Sequence, residues 1–243
     1  VASLPPPSDP FQEAYQRESP AYGRTPSPEL ASFLEQCRPQ GKAIDLGAGA
    51  GRDTLEMARC GLHVTAVDRS ETGLQRIEQR AKEEHLSKWI DTLALDVREL
   101  QLAPATYGFI AATTVLDHIP LQAAKELWEH MIQSLVDTGA LYVEVHTTDD
   151  PGSPTGRGPQ RTEPVSETAV HVINHFAPNQ LLQWAVETEG LHVLRYEERT
   201  EWDYTHGPEH LHAKAVLLAS RTPEILNWYG HPAAFPKRTA PQN

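Results

Sequence analysis

The sequence predicts an α/β fold: a doubly wound, mostly parallel sheet of seven strands whose last strand runs antiparallel. Three observations carry that expectation. From Lys42 onward, short apolar runs alternate with helical patterns, as in a parallel sheet covered on both faces. The run Ala43-Ile44-Asp45-Leu46-Gly47-Ala48-Gly49-Ala50-Gly51-Arg52 joins a buried strand to a helix through glycines at every second position. The last two apolar runs have only a hairpin-scale connection between them, so they should pair antiparallel.

The elements follow in order. Residues 1–30 are proline-rich and too interrupted for long helices, yet they carry Phe11, Tyr15 and Tyr22, which a plain disordered tail rarely holds. A short helix over 12–17 is expected, then an irregular segment laid across the domain. Residues 29–36 read as a helix with Leu30, Phe33 and Leu34 on one face. The main domain is placed at 31–221. Its first strand spans 43–46, with a helix over 52–60 closed by Gly61. The second strand, 63–67, ends at Asp68, and Ser70 caps the helix behind it. The third strand lies near 92–95 and ends at Asp96, and the fourth covers 109–113. Pro120 opens a helix whose stripe runs Ala124, Leu127, Trp128, Met131, Ile132 and Leu135. Gly139 is read as the break before a fifth strand at 141–145. Residues 147–168 form a long polar loop, of a length usually functional or disordered. A helix at 178–189 and strands at 192–199 and 213–219 complete the domain. Residues 222–243 read as a loosely attached tail anchored by Trp228 and Tyr229.

Composition narrows the function. The chain has 243 residues and a formal charge of −12, which argues against a general nucleic-acid binder. Two cysteines, Cys37 and Cys60, at no metal-ligand spacing point to a reducing compartment and a cytoplasmic protein. No run approaches the ~18 apolar residues of a membrane span, and no signal-peptide layout is present. The chain begins at Val1 and not at Met, which leaves room for a preceding segment.

Ligands of open α/β sheets bind outside the carboxyl ends of the strands. Those ends carry Asp45 and the loop of Gly47, Gly49 and Gly51, then Asp68 and Arg69, then Asp96 and Val97, then Thr113, Thr114, Asp117 and His118, and finally His146. Asp68, about 20 residues after the glycines, is placed to accept both hydroxyls of a ribose. Asp96 and Val97 suit an adenine amino group and ring edge. A dinucleotide fingerprint would need glycine at position 52, where Arg52 stands.

The E/D-x-G-x-G-x-G pattern from Asp45 resembles motif I of the S-adenosylmethionine-dependent (SAM) methyltransferases with a Rossmann-like fold. The resemblance implies SAM as cofactor, S-adenosylhomocysteine as product, and an antiparallel final strand. Arg52 would then take the cofactor's carboxylate. Gly47-x-Gly49-x-Gly51-Arg52-Asp53-Thr54-Leu55, His63–Asp68, the run 109–116 and His175-Phe176-Ala177-Pro178-Asn179-Gln180-Leu181 are similar to the tellurite-resistance branch, over roughly residues 30–220. Relatives in that branch act on tellurite and selenite, on thiols and halides, or on small organic acceptors. Members that handle the oxyanion carry arginine and histidine around the last hairpin. Here Glu201, Asp203 and Glu209 would repel an oxyanion, although His206, His210 and His212 could substitute.

The expected activity is therefore in-line methyl transfer to a small-molecule acceptor. Tellurite, selenite or thiol methylation is the nearest alternative. A nicotinamide-dependent oxidoreductase and a non-catalytic SAM-binding protein are the alternatives of other classes. An oxygen or nitrogen acceptor needs a general base near neutral pKa, and His118 and His146 are the candidates. Asp117, His171 and His175 are read as lining the acceptor pocket, with no metal expected. Tyr15, Tyr22 and Arg24 stand equally as a lid and as plain packing. The 147–168 loop and the N-terminal segment are expected to close over the acceptor side. No nucleic acid and no membrane partner are expected, and the chain is expected to be a monomer or a homodimer.

Overall fold

The computed structural model describes residues 10–16, 22–154, 171–206 and 208–222. Seven strands form one sheet: β1 (Lys42–Leu46), β2 (His63–Asp68), β3 (Ile90–Ala94), β4 (Tyr107–Thr113), β5 (Leu135–His146), β6 (His192–Asp203) and β7 (His210–Ser220). Their spatial order is β3-β2-β1-β4-β5-β7-β6. The first five are parallel, and β7 runs antiparallel to both β5 and β6. The order reverses between β1 and β4, and the crevice at such a reversal is where sheets of this type bind ligands.

Alternation along the strands divides the core in two. Ile44, Leu46, Ile110, Ala112, Leu141 and Val143 face α5 (Leu121–Ser134) and α6 (Gln180–Glu187). Ala43, Phe109, Ala111, Ala140 and Tyr142 face α2 (Pro28–Cys37) and α3 (Arg52–Arg59). Of the stripe expected on α5, Ala124, Leu127, Trp128 and Met131 are enclosed, Ile132 is half-buried, and Leu135 belongs to β5 because the helix ends at Ser134. Each large side chain buried this way contributes about 1.5–3 kcal/mol relative to exposure. On α4 (Glu71–Glu83) the Ser70 hydroxyl accepts the Gly73 N–H at 3.2 Å, as the N-cap pattern requires. The short α1 (Pro10–Gln16) packs on α4. Among the described residues no helix is long and apolar enough to cross a membrane.

Several boundaries differ from the sequence reading. Gly139 does not break the chain before β5 but lies within that strand, where the register with β4 shifts between Tyr107 and Phe109. The helix α6 starts at Gln180, because Ala177 donates its N–H to Gln180 Oε1 in a turn ahead of it. The hairpin strands are longer than expected, to Asp203 on β6 and from His210 on β7. Apolar periodicity misses that extension because β6 carries charges at alternate positions. Arg199 pairs with Glu201 at 2.9 Å along one face of it, and such pairs stabilise an edge strand. Residues 155–170 of the polar loop, and Trp228 and Tyr229 of the tail, lie outside the described residues.

Candidate functional site

A cavity of about 430 Å³ opens at the carboxyl ends of β1, β2 and β4, within the ~300–1,000 Å³ usual for small-molecule sites. Its floor is the glycine loop, where Gly47, Gly49 and Gly51 have φ of 66°, 53° and 80°. Glycine alone adopts this region without strain. At Gly49 space is limiting as well, since a Cβ would run into the Tyr15 hydroxyl.

Asp45 lies at the end of β1 and is 2% exposed. It accepts a hydrogen bond from the Thr54 hydroxyl. Burial, reinforced by the nearby Asp53 charge, pushes its carboxyl up to about 8. Asp68, at the end of β2, accepts the Gly49 N–H at 2.8 Å and the Ser70 N–H at 2.7 Å, so it ties the loop to the neighbouring strand. Asp96 is clasped by Arg98 at 2.9 and 2.6 Å, and this holds its carboxyl below the usual range. Arg69, Val97 and Thr114 line the same wall. Thr114 has φ 53°, uncommon for a non-glycine residue and typical of functional loops.

Arg52 also lines the cavity, but its Nε–Nη2 edge is engaged. It donates to Asp53 at 3.2 and 3.0 Å and to the Ser27 hydroxyl at 2.9 Å. Asp53 in turn accepts the Ser27 N–H at 3.1 Å and the Thr113 hydroxyl at 2.9 Å. Asp53 thus fixes the guanidinium and offsets its unfavourable place in the first helical turn.

On the opposite side of the cavity, β4 and β5 bring Asp117, His118 and His146 together. Asp117 is fully buried, with Oδ2 accepting the His146 backbone N–H at 2.9 Å and lying 2.6 Å from His146 Nδ1. Its Oδ1 stands 3.1 Å from His118 Nδ1. Burial pushes Asp117 upward, but the two imidazoles outweigh it and hold the carboxyl well below the usual range. Burial lowers His146 despite Asp117, which favours its neutral ring. A carboxylate accepts only, so Nδ1 of His146 carries the proton and Nε2 is left as the basic atom.

The N-terminal helix covers this arrangement. Phe11 meets His118 edge-on and His171 at a tilt, with ring centroids 5.5 and 5.7 Å away, and the Arg69 guanidinium lies 5.8 Å from its centroid. Tyr22 lies between Tyr15 and His206, at 6.2 and 5.1 Å. Phe11, Tyr15 and Tyr22 all line the cavity, whereas Arg24 is an exposed residue outside that lining.

Two expected pocket residues are placed elsewhere. Asp117 does not reach the cavity wall; it sits behind the histidines, because their ring nitrogens and a backbone N–H enclose its carboxylate. His175 is half-buried outside the lining, because the chain turns inward there to bury Phe176. His171 does line the cavity. Sequence reading missed Phe11, Asp53, Glu144 and Lys214 as lining residues. Glu144 accepts from Tyr142 at 2.9 Å and from Lys214 at 2.8 Å. Lys214 also meets Glu201 at 3.0 Å, so the hairpin is less acidic toward the cavity than its composition suggests. The alternation Tyr142, Glu144, His146 on one buried strand was the signal available for Glu144.

Residues 43–139 match the family model described as "Methyltransferase domain". The carboxy-S-adenosyl-L-methionine synthase of Shewanella loihica is 29% identical over 101 residues, 40% of this chain and 41% of that protein. The protein described as "Probable S-adenosyl-L-methionine-dependent methyltransferase TehB" of Haemophilus influenzae is 28% identical over 124 residues, 50% of this chain and 41% of its own. The crystal structure of TehB from that organism superposes with a TM-score of 0.65 at 19% identity, over 81% of this chain and 62% of TehB. The 2-heptyl-1-hydroxyquinolin-4(1H)-one methyltransferase of Mycobacteroides abscessus is 25% identical over 174 residues, 68% of this chain and 74% of that enzyme. The chain thus spans about 41% of the length of the first two relatives. In fold, and over the matched segment, it resembles the class I SAM-dependent methyltransferases, TehB among them.

Proposed function

We propose that the chain is a SAM-dependent methyltransferase of a small organic acceptor, with His146 as general base and Asp117 as the residue that orients it. The observation that carries this reading is buried His146, which lines the same cavity as the glycine loop and is held from behind by Asp117. The methyltransferase relatives support the donor. The synthase match covers only 40% of the chain and carries nothing about the acceptor.

In this reading the glycine loop would hold the methionine end of SAM, Asp45 its α-ammonium and Arg52 its carboxylate. Asp68 faces the ribose hydroxyls, and Asp96 and Val97 face the adenine. The cofactor supplies the sulfonium leaving group, so the protein's work is alignment, exclusion of water and removal of one proton. The acceptor's X–H bond gives its proton to His146 Nε2 as the X–CH3 bond forms. The breaking C–S bond leaves its electron pair on sulfur, producing S-adenosylhomocysteine. Asp117 holds Nδ1–H and stabilises the imidazolium that results. Phe11, Tyr15 and Tyr22 close the site against water, the lid role expected of the N-terminal segment.

A labelled methyl-transfer screen over phenols, amines, thiols, tellurite and selenite tests this function. Transfer to an organic acceptor is expected. Preferential transfer to an oxyanion would overturn the organic-acceptor reading. SAM binding with no transfer to any acceptor class would favour the non-catalytic alternative.

A further inference from the structure

The hairpin carries a second cluster with a chemistry of its own. His206, His210 and His212 bring three ring nitrogens within 4.8 Å of one another. His210 Nε2 lies 2.9 Å from His212 Nε2, and His206 Nε2 lies 3.4 Å from the same atom. The outer nitrogens decide the tautomers. His212 Nδ1 stands 2.8 Å from Asp150 Oδ2, and His210 Nδ1 stands 2.6 Å from the Pro208 carbonyl oxygen. Both oxygens accept only, so both Nδ1 atoms carry hydrogen. In neutral rings the two Nε2 lone pairs then point at one another across 2.9 Å. That arrangement is repulsive unless a proton shared between the rings or a metal ion lies between them.

From this geometry we propose that His206, His210 and His212 bind one divalent transition-metal ion of the zinc class through their Nε2 atoms. Imidazole nitrogens suit that class, with bonds of about 2.0–2.1 Å. Tetrahedral bonds of that length set nitrogens roughly 3.3 Å apart. The His206–His212 spacing already matches, and the His210–His212 spacing needs to open by a few tenths of an ångström.

The surroundings have the form of a metal site's outer shell. A carboxylate or carbonyl on the far nitrogen of each ligating histidine is the usual device for fixing ring orientation. Asp150 is itself held by the N–H groups of Ala213, at 2.9 Å, and Gly152, at 2.7 Å. Asp203 adds a negative charge 3.7 Å from His206 Nε2. Three histidine ligands leave a fourth position, as in catalytic zinc sites. His206 and His212 line the cavity, and the His212 ring lies 4.6 Å from that of His146. An ion held by these rings would lie beside the acceptor side of the cavity. The metal site itself stands independently of the methyltransferase reading, since it is loaded and measured without SAM.

The test is cobalt(II) titration of the untagged, chelator-stripped protein, read by visible ligand-field absorption. One equivalent with the intense bands of a four-coordinate ion is expected, displaced by added zinc. His210→Ala and His212→Ala should each weaken uptake by at least ~100-fold. Asp150→Asn should weaken it by about 10- to 100-fold without abolishing it. His130→Ala, an exposed change on α5, should leave it unchanged. Absence of the bands in the wild-type protein overturns the proposal, and this holds even if an alanine variant fails to fold. So does uptake that both alanine variants leave intact.

Discussion

Replacing Asp45 by asparagine should make the protein more stable and a poorer binder of SAM. Asp45 is 2% exposed and its carboxyl is pushed up to about 8, against about 3.9 in an unfolded chain. The folded state therefore retains a proton that the unfolded state has lost. The contribution of Asp45 to stability is fully present below pH 4 and is lost as pH rises toward 8. At 1.36 kcal/mol per unit the whole gap corresponds to roughly 6 kcal/mol at the outside. Relaxation and the effective dielectric of real interiors bring that to about 3 kcal/mol. Asparagine is neutral at every pH and can still accept from the Thr54 hydroxyl, so it escapes the cost. The expected gain is under ~1 kcal/mol at pH 5 and about 3 kcal/mol at pH 8. For a chain of this size that is roughly 6–12 °C in Tm at pH 8. The variant also loses a charge-assisted partner for the α-ammonium, about 1.5–3 kcal/mol, or roughly 10- to 100-fold in Kd. Thermal melts at pH 5 and pH 8, with calorimetric SAM titration, read both effects. A Tm that falls at pH 8, or a gain that does not grow with pH, refutes the reasoning.

Three further outcomes follow from the same geometry. SAM affinity of the wild-type protein should rise between pH 6 and 7.5, by up to about tenfold per unit, because binding drives the proton off Asp45; calorimetry in buffers of different ionisation enthalpy would show proton release. Asp117→Asn should reduce methyl transfer by about 10²- to 10⁴-fold, since an amide selects the wrong His146 tautomer, while SAM affinity changes less than about twofold. Lys214→Met leaves Glu144 buried without its cation and should cost about 3–5 kcal/mol in chemical denaturation, much of it recovered by adding Glu144→Gln.

Local features were the legible ones. The glycine loop, Ser70 and the α5 stripe depend on residues within a few positions of one another, so sequence alone located them. Asp68 and Asp96 were found because strand ends can be read from periodicity. Partnerships across the fold were not legible. Asp53 gathers Ser27 and Thr113 from 26 and 60 residues away, and no local pattern announces it. Asp117 and His146 were each singled out, yet their 29-residue separation hid that one stands behind the other. The histidines of the hairpin were read only as substitutes for oxyanion-handling residues, because Asp150, 62 residues before His212, could not be placed beside them. Phe11 was noted only as an aromatic residue unusual for a disordered tail, and only the docking of α1 brings it over the cavity.

In the proposed function, the glycine loop and the acidic strand ends hold an adenosyl sulfonium cofactor. Isothermal titration with SAM, S-adenosylhomocysteine and NAD tests it directly. One site each for SAM and S-adenosylhomocysteine, with no heat from NAD, is the predicted result. Binding of NAD with neither adenosyl compound would contradict the account.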